Sequence, residues 1–231
     1  MANSSQICHL CGANQKLEQS HIIPQFVYRW TNGVPGLHER QVGLTRPMLC
    51  GRCEDRFSTY ESEFARHVFH PVAVNSFLAA KYDGWLRKFA ASVCWRILEE
   101  CIVTHSLPSF PENLIQDMND CRVTWRQYLL GKRPDEGRYH FHLQAWNLIA
   151  GEANSAEHCS TLIQSAGPGR VALPQPIWQT VGREVSCRGP AAFVQAKLGP
   201  LVLTGLIAEL RSGQRHGTRI HAEGKLKLRD L

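Results

Sequence analysis

The sequence has no apolar stretch long enough to act as a signal peptide or to cross a membrane. Its first residues are polar, and its most apolar later run, residues 191–208, is interrupted by Gln195, Lys197, Gly199 and Pro200. It also lacks internal repeats and low-complexity segments. We therefore expect a folded, soluble, cytoplasmic protein with no membrane partner.

Paired cysteine spacing is scarce as well. The chain has nine cysteines in 231 residues, and five of them stand alone: Cys94, Cys101, Cys121, Cys159 and Cys187. In a reducing cytoplasm such isolated cysteines act as small apolar side chains, so we expect no structural disulfide. The hydrophobic fraction of 43% is enough for a full core, and the net charge of +6 is too moderate to require a nucleic-acid role by itself.

The remaining four cysteines form two Cys-x-x-Cys pairs, Cys8 with Cys11 and Cys50 with Cys53. Two intervening residues allow both sulfur atoms of a pair to face one tetrahedral zinc ion. We expect a treble clef, in which the first pair lies in a hairpin and the second pair begins a helix. The sequence after Cys53 predicts this helix, with an end near Pro71. The zinc would be structural.

Candidate catalytic residues lie beside these pairs. His21 stands in a Ser-His-Ile-Ile-Pro segment between them, while Glu54 and Glu61 fall on one face of the predicted helix. If this segment packs over the helix start, Glu54 with Ser20 or Glu61 would hold Mg²⁺ or Mn²⁺, and His21 would take a proton from a water attacking a phosphodiester. The alternative is that Glu54 and Glu61 form a solvated helix face.

The rest of the chain predicts an α+β fold with the zinc module at its amino end. We divide it into a module of residues 1–70 and an α+β domain of residues 71–231, with central helices over about 75–130 and β structure over about 138–231. One helix has an apolar stripe at spacings of three or four: Tyr82, Leu86, Phe89, Val93, Ile97 and Cys101. Trp95 and Leu98 lie off this stripe, so we expect neighbours on more than one side.

A second helix is predicted from Pro111 to near Gly131. Antiparallel β structure follows, with alternating large and polar residues and turn residues between the runs. The predicted strands are 139–146, 192–198, 201–207, 218–222 and 225–228, with 171–176 extended. We expect 192–198 to pair with 201–207, and 218–222 to pair with 225–228 around Glu223 and Gly224.

Basic residues form two groups that are candidates for contact with nucleic acid. Arg29, Arg40 and Arg46 lie in the sequence around the cysteine pairs, and the basic carboxy-terminal end contributes a second group, Arg219, Lys225 and Lys227. Such side chains can contact backbone phosphates. The alternative is that each of them is a solvated surface charge.

Three segments together resemble the HNH endonucleases of the ββα-metal, treble-clef type: Cys8-x-x-Cys11, Ser20 to Pro24, and Leu49-Cys50-x-x-Cys53-Glu54. The resemblance covers about residues 8–62. It implies that His21 is the general base, that Ser20 stands at the position of an acidic metal ligand, and that Glu54 stands where the helix supplies an Asn or His ligand.

Two hypotheses of different class follow. The first is a metal-dependent endonuclease, a phosphodiester hydrolase with a structural four-cysteine zinc and a catalytic Mg²⁺ or Mn²⁺. The second is a catalytically inactive zinc scaffold that binds nucleic acid or a protein partner.

Overall fold

The computed structural model describes residues 6–33, 43–75, 79–104, 110–145, 181–188, 191–208 and 218–227. The fold is α+β, as predicted, with helices and antiparallel sheets. Within these ranges, no helix combines the length and the apolarity that a membrane span requires. Arg40 and the predicted extended segment 171–176 lie outside the described residues.

The amino-terminal part consists of short antiparallel strand pairs that lead into a helix. Its elements are β1 (Gln6–Ile7), β2 (Asn14–Gln15), β3 (Leu17–His21), α1 (Gln25–Asn32), β4 (Thr45–Cys50) and α2 (Gly51–Phe64). Strand β1 pairs with β2, and β3 pairs with β4. Helix α2 begins directly after β4, because Cys50 keeps an extended backbone and the next residue is already helical. Glu54 in the first turn of α2 favours the helix dipole.

Helix α2 does not end near Pro71, contrary to our prediction. It continues through a π-helical turn (Ala65–Phe69) into α3 (His70–Asn75). The backbone N–H of His70 donates to the carbonyl of Ala65, which is the wider spacing of a π-helix. Proline in a helix normally removes one hydrogen bond and crowds the preceding turn. The wider turn before Pro71 provides room for the ring, so the helix passes through it.

The central helices agree with the sequence pattern. They are α4 (Gly84–Val103) and α5 (Glu112–Leu129). Four residues of the predicted apolar stripe are buried in α4, namely Leu86, Phe89, Val93 and Ile97. Cys101 is half-buried, and Tyr82 lies in the strand before the helix instead of in it. Trp95 and Leu98 are buried too, which confirms that neighbours cover this helix on several sides. The Asp83 side chain caps α4 by accepting the Trp85 N–H at 3.1 Å. Pro111 precedes α5, and Gly131 follows its end with a φ of 74°.

The carboxy-terminal strands form a five-stranded antiparallel sheet. Its strands are β6 (Phe141–Ala145), β7 (Val181–Arg188), β8 (Ala191–Leu198), β9 (Leu201–Ala208) and β10 (Thr218–Arg219), in the order β10-β6-β9-β8-β7. The predicted β8–β9 hairpin is confirmed, with Gly199 in its turn at a φ of 58°. Gly205 of β9 allows close helix packing, because a Cβ there would lie 2.9 Å from Cys94 Sγ and from the Trp125 ring.

The predicted pairing of residues 218–222 with 225–228 is wrong. Strand β10 pairs with β6, and β11 (Gly224–Lys227) pairs with β5 (Ala79–Tyr82). Strand β5 lies directly before α4 and offers an edge on which Leu226 becomes fully buried. The Tyr82 hydroxyl also accepts the backbone N–H of His221 at 3.1 Å. These long-range contacts replace the local hairpin.

Aromatic contacts join α2 to α4. The rings of Phe64 and Phe89 stack at 3.8 Å, and Phe57 meets Trp95 edge-on at 6.4 Å. The buried apolar residues before and after residue 70 belong to one hydrophobic cluster. The division into two domains at residue 70 stays a prediction.

Candidate metal centre and adjoining histidine site

The four paired cysteines come together in one cluster. Their Sγ atoms all lie within 4.8 Å of one another, and Cys11 Sγ is 3.8 Å from Cys50 Sγ. A tetrahedron with zinc–sulfur bonds of about 2.3 Å has edges of about 3.8 Å. The cluster therefore has the donor set and the spacing to hold a metal ion such as zinc, as the sequence predicts.

Backbone geometry shapes the first cysteine pair into a tight loop. The N–H of Gly12 donates to the Cys8 carbonyl at 2.8 Å, and Gly12 has a φ of 79°, which a residue without Cβ adopts readily. The Cys50 N–H donates to Cys8 Sγ at 3.3 Å and so links the two pairs. The end of β4 is thereby fixed against this loop.

The cysteine electrostatics favour a bound cation. Burial raises the pKa of the Cys50 and Cys53 thiols, and the charge of Cys8 raises that of Cys53 further. Burial also disfavours the Cys8 thiolate, but backbone N–H donors at Cys11 and Cys50 outweigh it and lower the pKa of Cys8 to about 7. Four thiolates together therefore need a compensating positive charge, which a metal ion supplies.

Side chains of α4 and α5 hold the first pair in place. Arg126 Nε donates to the Leu10 carbonyl at 2.5 Å, and His9 Nδ1 lies 3.0 Å from Glu99 Oε1. The backbone N–H of His9 donates to the Met48 carbonyl at 3.0 Å. The cysteine cluster is thus connected to the core helices.

His21 ends strand β3 and is the register partner of Thr45 in β4. Its carbonyl accepts from Arg96 Nη1 at 2.7 Å, and its ring centroid lies 6.2 Å from that of Tyr28. Its Nδ1 is buried, with no hydrogen-bond partner among the described residues. A Cβ at Gly43 would lie 2.9 Å from this Nδ1 and 2.5 Å from Tyr28 Cε2, so only glycine leaves room for both rings.

The imidazole of His21 is biased towards its neutral form. Burial lowers its pKa, and the positive charge of Arg96 lowers it further, while Glu61 and Glu54 oppose this shift. A neutral imidazole at physiological pH has a free lone pair. His21 therefore has the protonation state of a proton acceptor.

Ser20 and Glu54 are in direct contact. The fully buried Ser20 hydroxyl donates to Glu54 Oε1 and accepts the Leu49 N–H at 3.2 Å. The hydroxyl therefore links β3, β4 and the first turn of α2. It holds the Glu54 carboxylate next to the strand that carries His21. The catalytic and metal-binding roles of these residues stay predictions.

Arg96 is a site residue that our reading of the sequence missed. It lies in the middle of α4, is 1% exposed, and donates through Nη2 to Glu61 Oε1 at 2.6 Å. Glu61, a candidate cation ligand, is thus ion-paired with it. The signal in the sequence was a charged residue between Trp95 and Ile97, the one charge in the run 89–98.

A second protein-only metal site is absent from the described ranges. There, the four cysteines are the one group of three or more Cys, His, Asp or Glu whose donor atoms come close enough to share an ion. Glu54, Glu61 and His21 do not form another. A catalytic Mg²⁺ or Mn²⁺ would need ligands beyond these three side chains.

The predicted basic residues fall into separate places. Arg29 is exposed on α1, where its charge reaches His21, and Arg46 lies opposite Ser20 in the β3–β4 register. Arg219 lies on β10, 2.9 Å from the His140 ring nitrogens, and Lys225 is exposed on β11. The side chain of Lys227 lies outside the described atoms. Among the basic side chains of this set that the structure describes, Arg29 and Arg46 lie near the strand of His21.

Comparison with known proteins gives no assignment: no family model matches the chain, and no curated protein or solved structure matches it.

Proposed function

We propose that the protein is a metal-dependent endonuclease of the HNH type, which hydrolyses phosphodiester bonds in nucleic acid. One observation supports this most: the antiparallel strands β3 and β4 lead into helix α2, with His21 at the end of β3 and Glu54 in the first turn of α2. The Ser20 hydroxyl joins Glu54 to β3. On this proposal His21 is the proton acceptor, and Glu54, whose charge acts on the pKa of His21, is the nearby carboxylate.

We infer that the metal in the cysteine cluster is zinc and that its role is structural. Four cysteines fill all the positions of a tetrahedral zinc ion and leave none for water or substrate. Thiolate ligation also requires a reducing compartment, so we assign the protein to the cytoplasm.

A catalytic Mg²⁺ or Mn²⁺ fits this site only in part. Ser20 is engaged by Glu54 and Leu49, and Glu61 by Arg96, so Glu54 is the carboxylate that would hold the ion. Mg²⁺ commonly binds one or two carboxylates, with waters and substrate phosphates completing its shell. When bound, such an ion would polarise the phosphate and stabilise the leaving oxygen.

His21 would act as the general base. Burial and Arg96 keep it neutral, and the Arg96 hydrogen bond to its carbonyl fixes the strand end that carries it. A positioned general base contributes about 10²- to 10⁴-fold to the rate.

The test is cleavage of plasmid DNA and of a structured RNA in Mg²⁺ or Mn²⁺. We expect His21→Ala to reduce the rate by at least about 100-fold, and Glu54→Gln to reduce it too. His70→Ala is the matched control, because this histidine is exposed on α3 and should retain full activity. Cleavage that survives in purified His21→Ala would refute the assignment.

A specific observation favours the second candidate, a non-catalytic zinc scaffold that binds nucleic acid or a protein partner. The described residues assemble one metal-binding cluster, and all three candidate cation ligands, Ser20, Glu54 and Glu61, already have protein partners. On this hypothesis His21→Ala leaves binding intact, whereas Cys53→Ser removes the metal and unfolds the amino-terminal module. Nucleic-acid binding without cleavage in either metal would favour it.

A further inference from the structure

Two arginines from different sheets converge on one buried glutamate of α4. Glu100 is 4% exposed. Its Oε1 lies 3.4 Å from Arg46 Nη2, and its Oε2 lies 3.3 Å from Arg183 Nη2. Arg46 comes from β4 of the amino-terminal part, and Arg183 comes from β7 of the carboxy-terminal sheet.

The charges of this group do not cancel. A buried carboxylate needs a cation, and one arginine would meet that need; here two guanidinium groups face one carboxylate, so one positive charge remains. The side chains of Arg46 and Arg183 are 45% and 29% exposed. Each guanidinium has five N–H donors, and the contact with Glu100 engages one nitrogen of each. The pair therefore presents charge and donors to solvent.

This pair lies close to the strand that ends at His21. Arg46 is the register partner of Ser20, so its side chain lies on the other face of the β3–β4 pair from the His21 ring. Glu100 lies one turn of α4 beyond Arg96, which donates to the His21 carbonyl. Burial raises the pKa of the Tyr28 hydroxyl, and the charge of Arg183 opposes this shift, so Arg183 lies near Tyr28. The centroid of the Tyr28 ring is 6.2 Å from that of the His21 ring. Glu100 thus fixes two cations one helical turn from the Arg96 bond that holds the His21 backbone.

We propose that Arg46 and Arg183, held by Glu100, form a binding site for the backbone phosphates of nucleic acid beside strand β3, which ends at His21. The proposal rests on the proposed function for the identity of the ligand. It also brings β7, and with it the carboxy-terminal sheet, into the substrate site. Planar guanidinium groups match the oxygens of a phosphate bidentately, and a fixed pair loses little conformational freedom on binding.

The same helix provides a matched control. Glu99, also buried, pairs with Arg122 Nη1 at 3.3 Å and with His9. Arg122 is 31% exposed, so it resembles Arg183 in exposure and in partner, but it lies on α5 and faces the first cysteine pair. Arg122→Gln removes an equivalent ion pair away from His21.

The experiment is fluorescence anisotropy with a labelled DNA duplex and a labelled RNA hairpin, without added Mg²⁺ or Mn²⁺, between about 50 and 200 mM salt. Each lost duplex phosphate contact should lower the salt slope by about 0.9 and weaken binding about eight-fold at about 0.1 M salt. We expect this for Arg46→Gln and for Arg183→Gln, and no change for Arg122→Gln. The double variant Arg46→Lys/Arg183→Lys keeps both charges, so it should keep the slope and lose affinity through the lost bidentate geometry.

Circular dichroism first checks that each variant is folded. If a Gln variant is unfolded, the Lys double variant tests the phosphate site instead. Binding by both Gln variants at wild-type strength, an unchanged Lys double variant, or no binding by the wild type would each overturn the phosphate site. Because the assay excludes catalysis, weakened binding in the variants of a protein that cleaves nothing would support the phosphate site and reject the nuclease.

Discussion

Replacing Arg96 by methionine should destabilise the protein by about 2–5 kcal/mol. The guanidinium joins α4 to β3 and α2, because it donates to the His21 carbonyl on β3 and to Glu61 on α2. It also lies 5.4 Å from the centre of the Phe57 ring, which is on α2. Methionine keeps most of the apolar length of the side chain. The expected loss of stability therefore comes mainly from the broken hydrogen bond and ion pair.

The magnitude follows from the two groups that lose a partner. The His21 carbonyl would lose its Arg96 donor, and an unsatisfied buried acceptor costs about 1–3 kcal/mol. Glu61 would lose its cation, which costs about 3–5 kcal/mol when the remaining charge is fully buried. Its side chain is 19% exposed, so water reaches it in part and we reduce this term to about 1–2 kcal/mol.

Urea unfolding followed by tryptophan fluorescence at constant zinc concentration measures this loss. The double variant Arg96→Met/Glu61→Gln should recover about 1–2 kcal/mol, because no unpaired carboxylate remains. Arg66→Met is the control, since this arginine is exposed and should change stability by less than about 0.5 kcal/mol. A loss below about 1 kcal/mol in Arg96→Met, or no recovery in the double variant, would refute the reasoning.

Two further predictions concern metal binding and pH. The wild type should bind one zinc per chain, and Cys53→Ser should lose the zinc and unfold the amino-terminal part. The control Cys101→Ser should retain the zinc. Metal analysis and circular dichroism measure both outcomes. Burial, with the charges of Arg56 and Arg87, lowers the pKa of Lys88 to about 8, so the unfolded state binds more protons between about pH 8 and about pH 10. Stability should therefore rise with pH across this window relative to Lys88→Met in urea unfolding; an identical pH profile for the two proteins would contradict the prediction.

Local patterns predicted much of the fold. The apolar stripe of α4, the proline before α5 and the β8–β9 hairpin all depend on residues close in sequence, and the structure confirms them. The two Cys-x-x-Cys pairs likewise fix their own local geometry, so the four-cysteine cluster followed from spacing alone. The contact between Ser20 and Glu54 needed only one assumption, that β3 packs over the start of α2.

Contacts between distant parts of the chain were not predictable in this way. Strand β11 has a turn and a partner nearby in sequence, yet the edge of β5 buries Leu226 and wins the pairing. Similarly, no spacing indicates that Arg183 and Arg46 share Glu100, because the pairing exists only once the carboxy-terminal sheet packs against α4. The spacing of apolar residues in a sequence indicates whether a segment is a helix or a strand. These contacts depend instead on which other elements pack against that segment.

The charged residues of α4 link the two parts of the proposed site. Arg96 bonds the strand end at His21, Glu99 pairs with the histidine of the first cysteine pair, and Glu100 holds the two arginines. Buried ion pairs contribute little net stability, and apolar residues of similar volume often stabilise a core more. Stability alone therefore does not account for three charged groups in one core helix. We infer that they position the histidine, the metal centre and the phosphate-binding arginines relative to one another, so that α4 serves as the frame of the site.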